Sequence, residues 1–451
     1  MTRLIFYRRI ICFLVLIISV WIGASGQEGL EGDTLARVTA GRDRLQEIRQ
    51  SHKVIYFGDS TRSTSADSVR RLMDQFYLSQ FRHFQDPRSP YFLMMSRDAK
   101  LAMGIGGTVR MRGFYDFGGA MPSNAFLPYT IPVPEDKYNR RKLSATPAGT
   151  AIYFQIIGVN KTLGNFSAFI QGNFDGYEGT GFRLKKSYVI INDWTIGYNT
   201  STFVDPMANP PVIDASGPNG QTNNTSVLLR WMHTIKSRWM VAASVEFPST
   251  KADADNALTR KQNDWFPDVV AFGQYQWAET EGHLRLSGLL RVMPYYDLVK
   301  DKAQNKIGWG AHLSVVSPLG YNWKVYGSVV GGAGISSYSN DMMADRLDLL
   351  NDPDKPGEMY APYSFGFTAG VRYNFTPNIY SSVSVSRAQL FPRLGEAAPS
   401  YRHGLYCVVN LFWEMSARLQ TGVEYLYGRR TNRGGDSGSA QRVNLLFAFS
   451  F

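Results

Sequence analysis

Gln441–Phe451 reads QRVNLLFAFSF, with Val443, Leu445, Phe447, Phe449 and Phe451 at every second position. Arg442, Asn444, Ala448 and Ser450 fill the gaps between them. Side chains two apart share one face of a sheet, so this stretch is an amphipathic β-strand that presents one face to something apolar.

The same alternation recurs along the chain from about residue 104, in segments separated by turn residues. About sixteen such strands follow one another. The connections between them alternate in length. Short ones are LGN (163–165), ND (192–193), KSR (236–238), TEG (280–282), PLGYN (318–322), TPN (376–378) and MSA (415–417). Long polar ones fall at 118–149, 204–225, 248–267, 296–306, 336–363, 387–404 and 428–440, and only 175–181 is short where a long one is due. That rhythm and an even strand count are those of a transmembrane β-barrel. In lipid every backbone N–H and C=O must be paired inside the protein, and a closed sheet does so without leaving an edge. The alternation then means lipid on one side and lumen on the other. Trp194, Trp239, Trp277, Trp309, Trp323 and Trp413 fall at or near strand ends, where interfacial girdles sit.

The competing fold is a soluble propeller or sandwich, whose strands also alternate but whose loops keep no short-long rhythm. Beyond the first thirty residues no run approaches the ~20 apolar residues of a membrane-spanning helix. Aromatic usage of 14% suits strands and belts. The expected fold is all-β, a 16-stranded antiparallel transmembrane barrel over 102–451, preceded by a short helical periplasmic or plug segment at 27–101. Within that segment DTLARVTAGRDRLQEIRQ (33–50) and SADSVRRLMDQFYLSQFRHF (65–84) carry a helical pattern, and Asp86-Pro87 ends the second.

Residues 1–26 have Arg3, Arg8 and Arg9, then an apolar stretch from Ile10 to Ile22, then Ala24, Ser25 and Gly26, the pattern of a secretory signal peptide. Its removal takes the formal charge from +11 to +8 and leaves Cys407 as the one cysteine. A single thiol makes no internal disulfide and no thiolate metal site, so neither metal nor other cofactor is expected. The basic residues are spread rather than clustered, which argues against a nucleic-acid partner.

With the apolar member of each pair facing lipid, the inward set reads Arg110, Arg112, Arg183, Lys185, Arg230, Arg285, Arg291, Lys324, Arg372, Arg418 and Arg442. Five acids share those faces: Asp116, Asp175, Glu246, Glu414 and Glu424. A water-filled lumen lined by cations concentrates anions, because low-dielectric walls focus the field along it. The alternative for each arginine is to pair with a lumen acid or a lipopolysaccharide phosphate and stiffen the wall. Lys186 reads as lipid-facing, although a one-residue bulge would exchange it with Lys185. The Pro- and Gly-rich connection VDPMANPPVIDASGPNGQTNN (204–224) either folds inward as a constriction loop, setting Asp205 and Asp214 against the cationic wall, or stays on the surface.

Enzyme and adhesin readings stand as alternatives. Among six histidines only His283 and His312 take inward strand positions, without a nucleophile pattern around them. Long loops at 118–149 and 336–363 permit display, and nothing selects it.

GTVRMRGFYDFGG (107–119), FSAFIQGNFDG (166–176), FRLKKSYVIINDWTIGYNTSTFVDP (182–206) with PNGQ (218–221), and LLRWMHTI (228–235) resemble the DcaP-like outer-membrane porins, with phosphate-selective porins as the next nearest pattern. The resemblance implies a sixteen-stranded, typically trimeric channel with a periplasmic amino-terminal segment and a preference for small anionic solutes such as dicarboxylates. It implies outer-membrane lipids and lipopolysaccharide as surroundings. Arg110, Arg112, Arg183, Lys185, Lys186 and Arg230 lie on its motifs. The terminal aromatic strand resembles the signature by which barrel proteins meet the assembly machinery.

Overall fold

The computed structural model describes residues 53–57, 92–98, 100–160, 162, 164–174, 181–236, 238–277, 281–393 and 400–451. The signal-peptide reading of 1–26, the helical patterns at 33–50 and 65–84, and Asp175 lie outside them. Within 27–101, Lys53–Phe57 and Phe92–Ser96 are strands, and the described residues 97, 98 and 100 turn into the first barrel strand.

Sixteen strands form the barrel. They are β1 Leu101–Phe117, β2 Thr150–Asn160, β3 Gly164–Phe174, β4 Phe182–Ile191, β5 Trp194–Thr200, β6 Thr225–Ile235, β7 Trp239–Glu246 and β8 Asp268–Trp277. They continue as β9 Gly282–Asp297, β10 Lys302–Leu319, β11 Trp323–Ala333, β12 Tyr363–Asn374, β13 Ile379–Phe391, β14 Tyr401–Glu414, β15 Leu419–Asn432 and β16 Ser437–Ser450. Each pairs antiparallel with the next, and β16 closes on β1 from Gln441↔Phe117 to Ser450↔Thr108. The ladder therefore has no free edge at the seam, as lipid requires. Below the seam, Phe92–Ser96 continues along β1 from Phe92↔Ile105 to Met95↔Ala102, and Lys53–Phe57 pairs with it in parallel.

The outward face is the greasy one. On β16 Leu445, Phe447 and Phe449 are exposed while Arg442 and Asn444 are fully buried. Trp194, Trp239, Trp323 and Trp413, all exposed, mark the short-turn rim. Trp309 differs: it sits within β10, ten residues from Leu319, which pairs with Trp323. That is about 33 Å along the strand and about 25 Å along the membrane normal at a porin tilt, so Trp309 belongs to the opposite girdle.

Two connections expected to be long are short, and a third begins later and ends earlier than expected. β9 and β10 stay paired up to Asp297↔Lys302, leaving residues 298–301, and β15 and β16 pair to Thr431↔Ser437. β13 and β14 likewise extend to Phe391 and from Tyr401. These hairpins run on past the apolar band, where polar residues keep the two-residue period without a lipid-facing signal to reveal it.

Inside, the long connections fold back into the barrel and supply its core. Met121, Phe126 and Ile131 pack on Tyr406, Val408 and Leu426, and Phe203, Ile335 and Tyr338 pack on Val270, Leu289 and Val330.

Candidate functional site in the barrel lumen

Residues 201–224 run inside the barrel: Ser201, Thr202, Phe203, Val204, Asp205, Ile213, Asp214 and Asn219 are all buried. The connection therefore takes an inward path. The chain turns in at Asp205, whose Oδ1 accepts from Met207 N and caps the short 3₁₀ turn Pro206–Ala208. Its Oδ2 accepts from Ser314 Oγ on β10 at 2.5 Å and meets His283 Nε2 on β9 at 2.7 Å. Burial alone would raise this carboxyl, but the Arg285 and His283 charges and the hydrogen bonds from His283 and Ser314 hold it well below the carboxylate range.

From there the segment follows the wall. Ala208 packs on Val316 and Tyr326, and Pro210 lies over Gly370, where any Cβ would meet it at 2.8 Å. Asn410 Nδ2 donates to Pro211 O at 2.9 Å. Glu424 of β15 receives the backbone N–H groups of Ile213 and Asp214 at 2.6 and 2.8 Å, and Asn444 donates to the same carboxylate. On the return, Gly220 N donates to Ser386 Oγ at 2.7 Å. The loop is thus held by wall side chains placed to satisfy its backbone.

Asp214 ends at 3.5 Å from Arg112, and burial raises its carboxyl above the usual range against the pull of Arg112 and Arg442. The two acids of the loop are therefore shifted in opposite directions, Asp205 down and Asp214 up.

The inward arginines fall into two groups. Arg112, Arg230, Arg285, Arg291 and Arg442 are at most 1% exposed, so their expected role as cations lining open water is corrected. A buried guanidinium needs a partner, and the inserted loops supply partners. Arg442 grips Asp116 through Nε and Nη2 at 2.5 and 3.0 Å, donates to the Ser123 and Asn124 carbonyls, and stacks 4.0 Å over Phe114. Arg285 binds Gln274, the Val204 carbonyl and, at 3.7 Å, Asp205. Arg291 lies between Asp268 and Asp348 at 3.4 and 3.3 Å and donates to Ser337. Arg230 reaches the Thr200 carbonyl.

The second group stays accessible: Arg110, Lys324 and Arg372 are partly exposed on the inward face, and Arg183 is exposed near the loop end of β4. Arg110 donates to the Ile213 carbonyl at 2.8 Å, so it touches the inserted loop. Lys324 and Arg372 are direct partners in the β11–β12 ladder, with Arg372 stacked 3.7 Å over Tyr380.

Two residues move. The β3–β4 register shifts between Gln171 and Gly172, pairing Lys186 with Gln171 and skipping Lys185. Lys186 is consequently the buried inward residue and Lys185 the exposed bulge residue, the reverse of the simple alternation. Arg418 lies in the turn before β15 and not on the wall.

Ser314, Asp268, Asp348 and Asp341 are the site residues that the alternation did not single out, and His283 and His312, read as inward, gain their partners only from the inserted loop. His312 Nδ1 meets the Phe203 carbonyl at 3.0 Å. Ser314 and His283 both address one oxygen of Asp205 and so fix the loop to the wall. Among the described residues no group of three potential ligands could hold a metal ion. Ser314 and Asp268 carried only an inward parity shared with many other positions, and Asp341 and Asp348 lie in a connection that has no periodic signal.

A family model described as DcaP outer membrane protein matches residues 94–451. Among solved structures, the chain is similar to the outer membrane channel DcaP of Acinetobacter baumannii, at 20% identity over 78% of this chain and 98% of that one, with a TM-score of 0.68. It is also similar to an anion-selective porin from Comamonas acidovorans, at 9% identity over 78% of this chain and all of that one, with a TM-score of 0.51. At these identities the likeness speaks to the fold. Comparison with curated proteins finds no match.

Proposed function

The chain belongs to the DcaP outer membrane protein family and is an outer-membrane β-barrel, and from that premise we propose that it is a passive channel for small anionic solutes, dicarboxylates among them. The observation that carries the reading is the Lys324–Arg372 pair. Both side chains point inward from directly opposed positions of the β11–β12 ladder. Like charges opposite one another on a sheet destabilise it, and such a pair persists where another function selects it. A solute with two carboxylates would neutralise both cations at once.

Arg110 extends the cationic surface to the edge of the inserted loop, which on this reading narrows the passage. Glu281 in the turn before β9 lies within electrostatic reach of Lys324 and offsets part of its field. The buried arginines act indirectly, by holding the loops that shape the passage. Assembly as a homotrimer belongs to the same proposal and is read by crosslinking in the membrane.

Planar-bilayer recordings under a salt gradient test the site. Replacing Lys324 and Arg372 together by Gln is expected to lower the anion-over-cation permeability ratio severalfold, in line with the field of two removed charges. An unchanged ratio would mean that neither side chain meets the permeating ions.

A further inference from the structure

Four basic residues gather on the outside of the barrel, away from the lumen. Arg387 on β13 points outward with Val383 and Val385, opposite in parity to the buried Ser384, Ser386 and Ala388. Arg429 points outward on β15 with Val423 and Tyr425. The register sets both directly beside Leu405 of β14, one on each side: Arg387↔Leu405 and Leu405↔Arg429. His403 follows on the same face of β14, paired with Gln389 and Thr431. Arg402 falls at the β-bulge between Tyr401 and His403, and with Arg387 and Arg429 it lies within electrostatic reach of the His403 ring.

The height of this cluster on the wall is telling. His403 is ten residues along β14 from the girdle residue Trp413. That distance is about 33 Å along the strand and about 25 Å along the normal, the full height of the apolar band. Below the cluster the outward wall is bare hydrocarbon-facing surface, with Val383, Val385, Val409 and Leu411 all exposed. The cations therefore stand where the headgroups of the outer leaflet begin, directly above a surface that suits acyl chains.

The cluster has spare donor capacity. Arg387 uses Nη2 on Gln389 and Arg429 uses Nη2 on Ser437. Nε of Arg387 and Nδ1 of His403 are buried and make no hydrogen bond among the described residues. No ion pair to a carboxylate is formed by any of the four among the described residues. Arg387 and Arg402 lie within electrostatic reach of one another, and all three arginines within reach of His403, so a doubly charged acceptor beside them relieves that repulsion and takes up their remaining Nη donors.

We propose that Arg387, Arg402, His403 and Arg429 form a binding site for the phosphate of an outer-leaflet glycolipid, with its acyl chains lying on the wall below. This uses the outer-membrane location and is independent of what passes through the lumen.

The test is a titration of the detergent-purified full-length protein, followed by native mass spectrometry, with three probes: bisphosphorylated lipid A, the same lipid after phosphatase treatment, and inorganic phosphate. The wild type is expected to retain bisphosphorylated lipid A, and Arg387→Gln with Arg429→Gln to bind it at least about tenfold more weakly. Dephosphorylated lipid should bind the wild type as weakly as the phosphorylated lipid binds the double variant, and millimolar phosphate should not displace the lipid. Arg387→Lys with Arg429→Lys, which keeps charge but loses the two-pronged geometry, should fall between. Heat-modifiable migration on gels confirms that each variant is folded. Equal affinity of wild type and double Gln variant, equal affinity for both lipids, or displacement by inorganic phosphate overturns the proposal. So does a change in subunit number in the double variant, which would make the patch an interface between copies.

Discussion

Gly107 and Phe451 exchange both backbone hydrogen bonds, each at 2.9 Å, and form the last rung of the seam that joins the end of the chain to β1. The phenylalanine ring covers the glycine so closely that a Cβ there would lie 2.6 Å from Cζ and 2.7 Å from the Ala151 carbonyl. Gly107→Val should therefore pry the terminal residue from the wall. The expected result is a lower unfolding temperature in heat-modifiability gels, by more than deleting Phe451 alone, because the clash with the Ala151 carbonyl remains when the phenylalanine is gone.

Arg442 and Asp116 make the wall's most complete ion pair, two-pronged and fully buried on adjacent strands. Removing one partner leaves the other charge buried alone, so Asp116→Ala should cost about 3–5 kcal/mol. Replacing both, as Asp116→Leu with Arg442→Met, should recover most of that loss. Urea unfolding in detergent micelles reads both, and a double variant no more stable than the single would show that the pair also holds Ser123 and Asn124 in a way apolar side chains cannot replace.

The barrel was legible because lipid enforces the period of two on nearly every strand. Val443, Leu445, Phe447 and Phe449 announced the outward face, and the same parity fixed the directions of Arg112, Arg285 and Arg442. Parity says which side a residue faces and nothing of what it meets there. The arginines met inserted loops rather than water, because Asp214, Val204 and Asn124 come from connections whose path leaves no periodic mark. The exchange of Lys185 and Lys186 has the same origin: a bulge changes parity by one residue and is visible only in the pairing.

Gly220 lies flat on the wall, where a Cβ would come within 2.3 Å of the Phe367 carbonyl and 2.5 Å of the Arg387 carbonyl. Both are backbone atoms of paired strands and have little room to yield. Gly220→Ala should lift the returning arm of the inserted segment and break its 2.7 Å bond to Ser386. In single-channel traces this is expected as increased open-channel noise and a changed unit conductance, with the fold intact by gel migration.

Asp341 ties the connection after β11 to Tyr401, to the Tyr129 N–H and to Asn219. Burial raises its carboxyl to about 6, against those three hydrogen bonds. An acid whose folded value is raised holds its proton where the unfolded chain has released it. Its contribution to stability therefore falls as pH rises from about 4, the unfolded value, to about 6, and stays low above that. Loop closure should loosen over this window, seen as faster amide exchange at Ser339–Met343 at pH 7 than at pH 4.5 after correction for intrinsic rates. Asp341→Asn should remove the difference.

On the proposed function, a closed outer-membrane wall surrounds a passage in which accessible cations such as Arg110, Lys324 and Arg372 outweigh the acids. The most direct test is the zero-current potential of the purified wild-type protein in a planar bilayer between tenfold different potassium chloride solutions. A potential with the sign of chloride preference, shrinking as total salt is raised, is the expected result. A potential with the sign of potassium preference, or no conductance at all from folded protein, would contradict it.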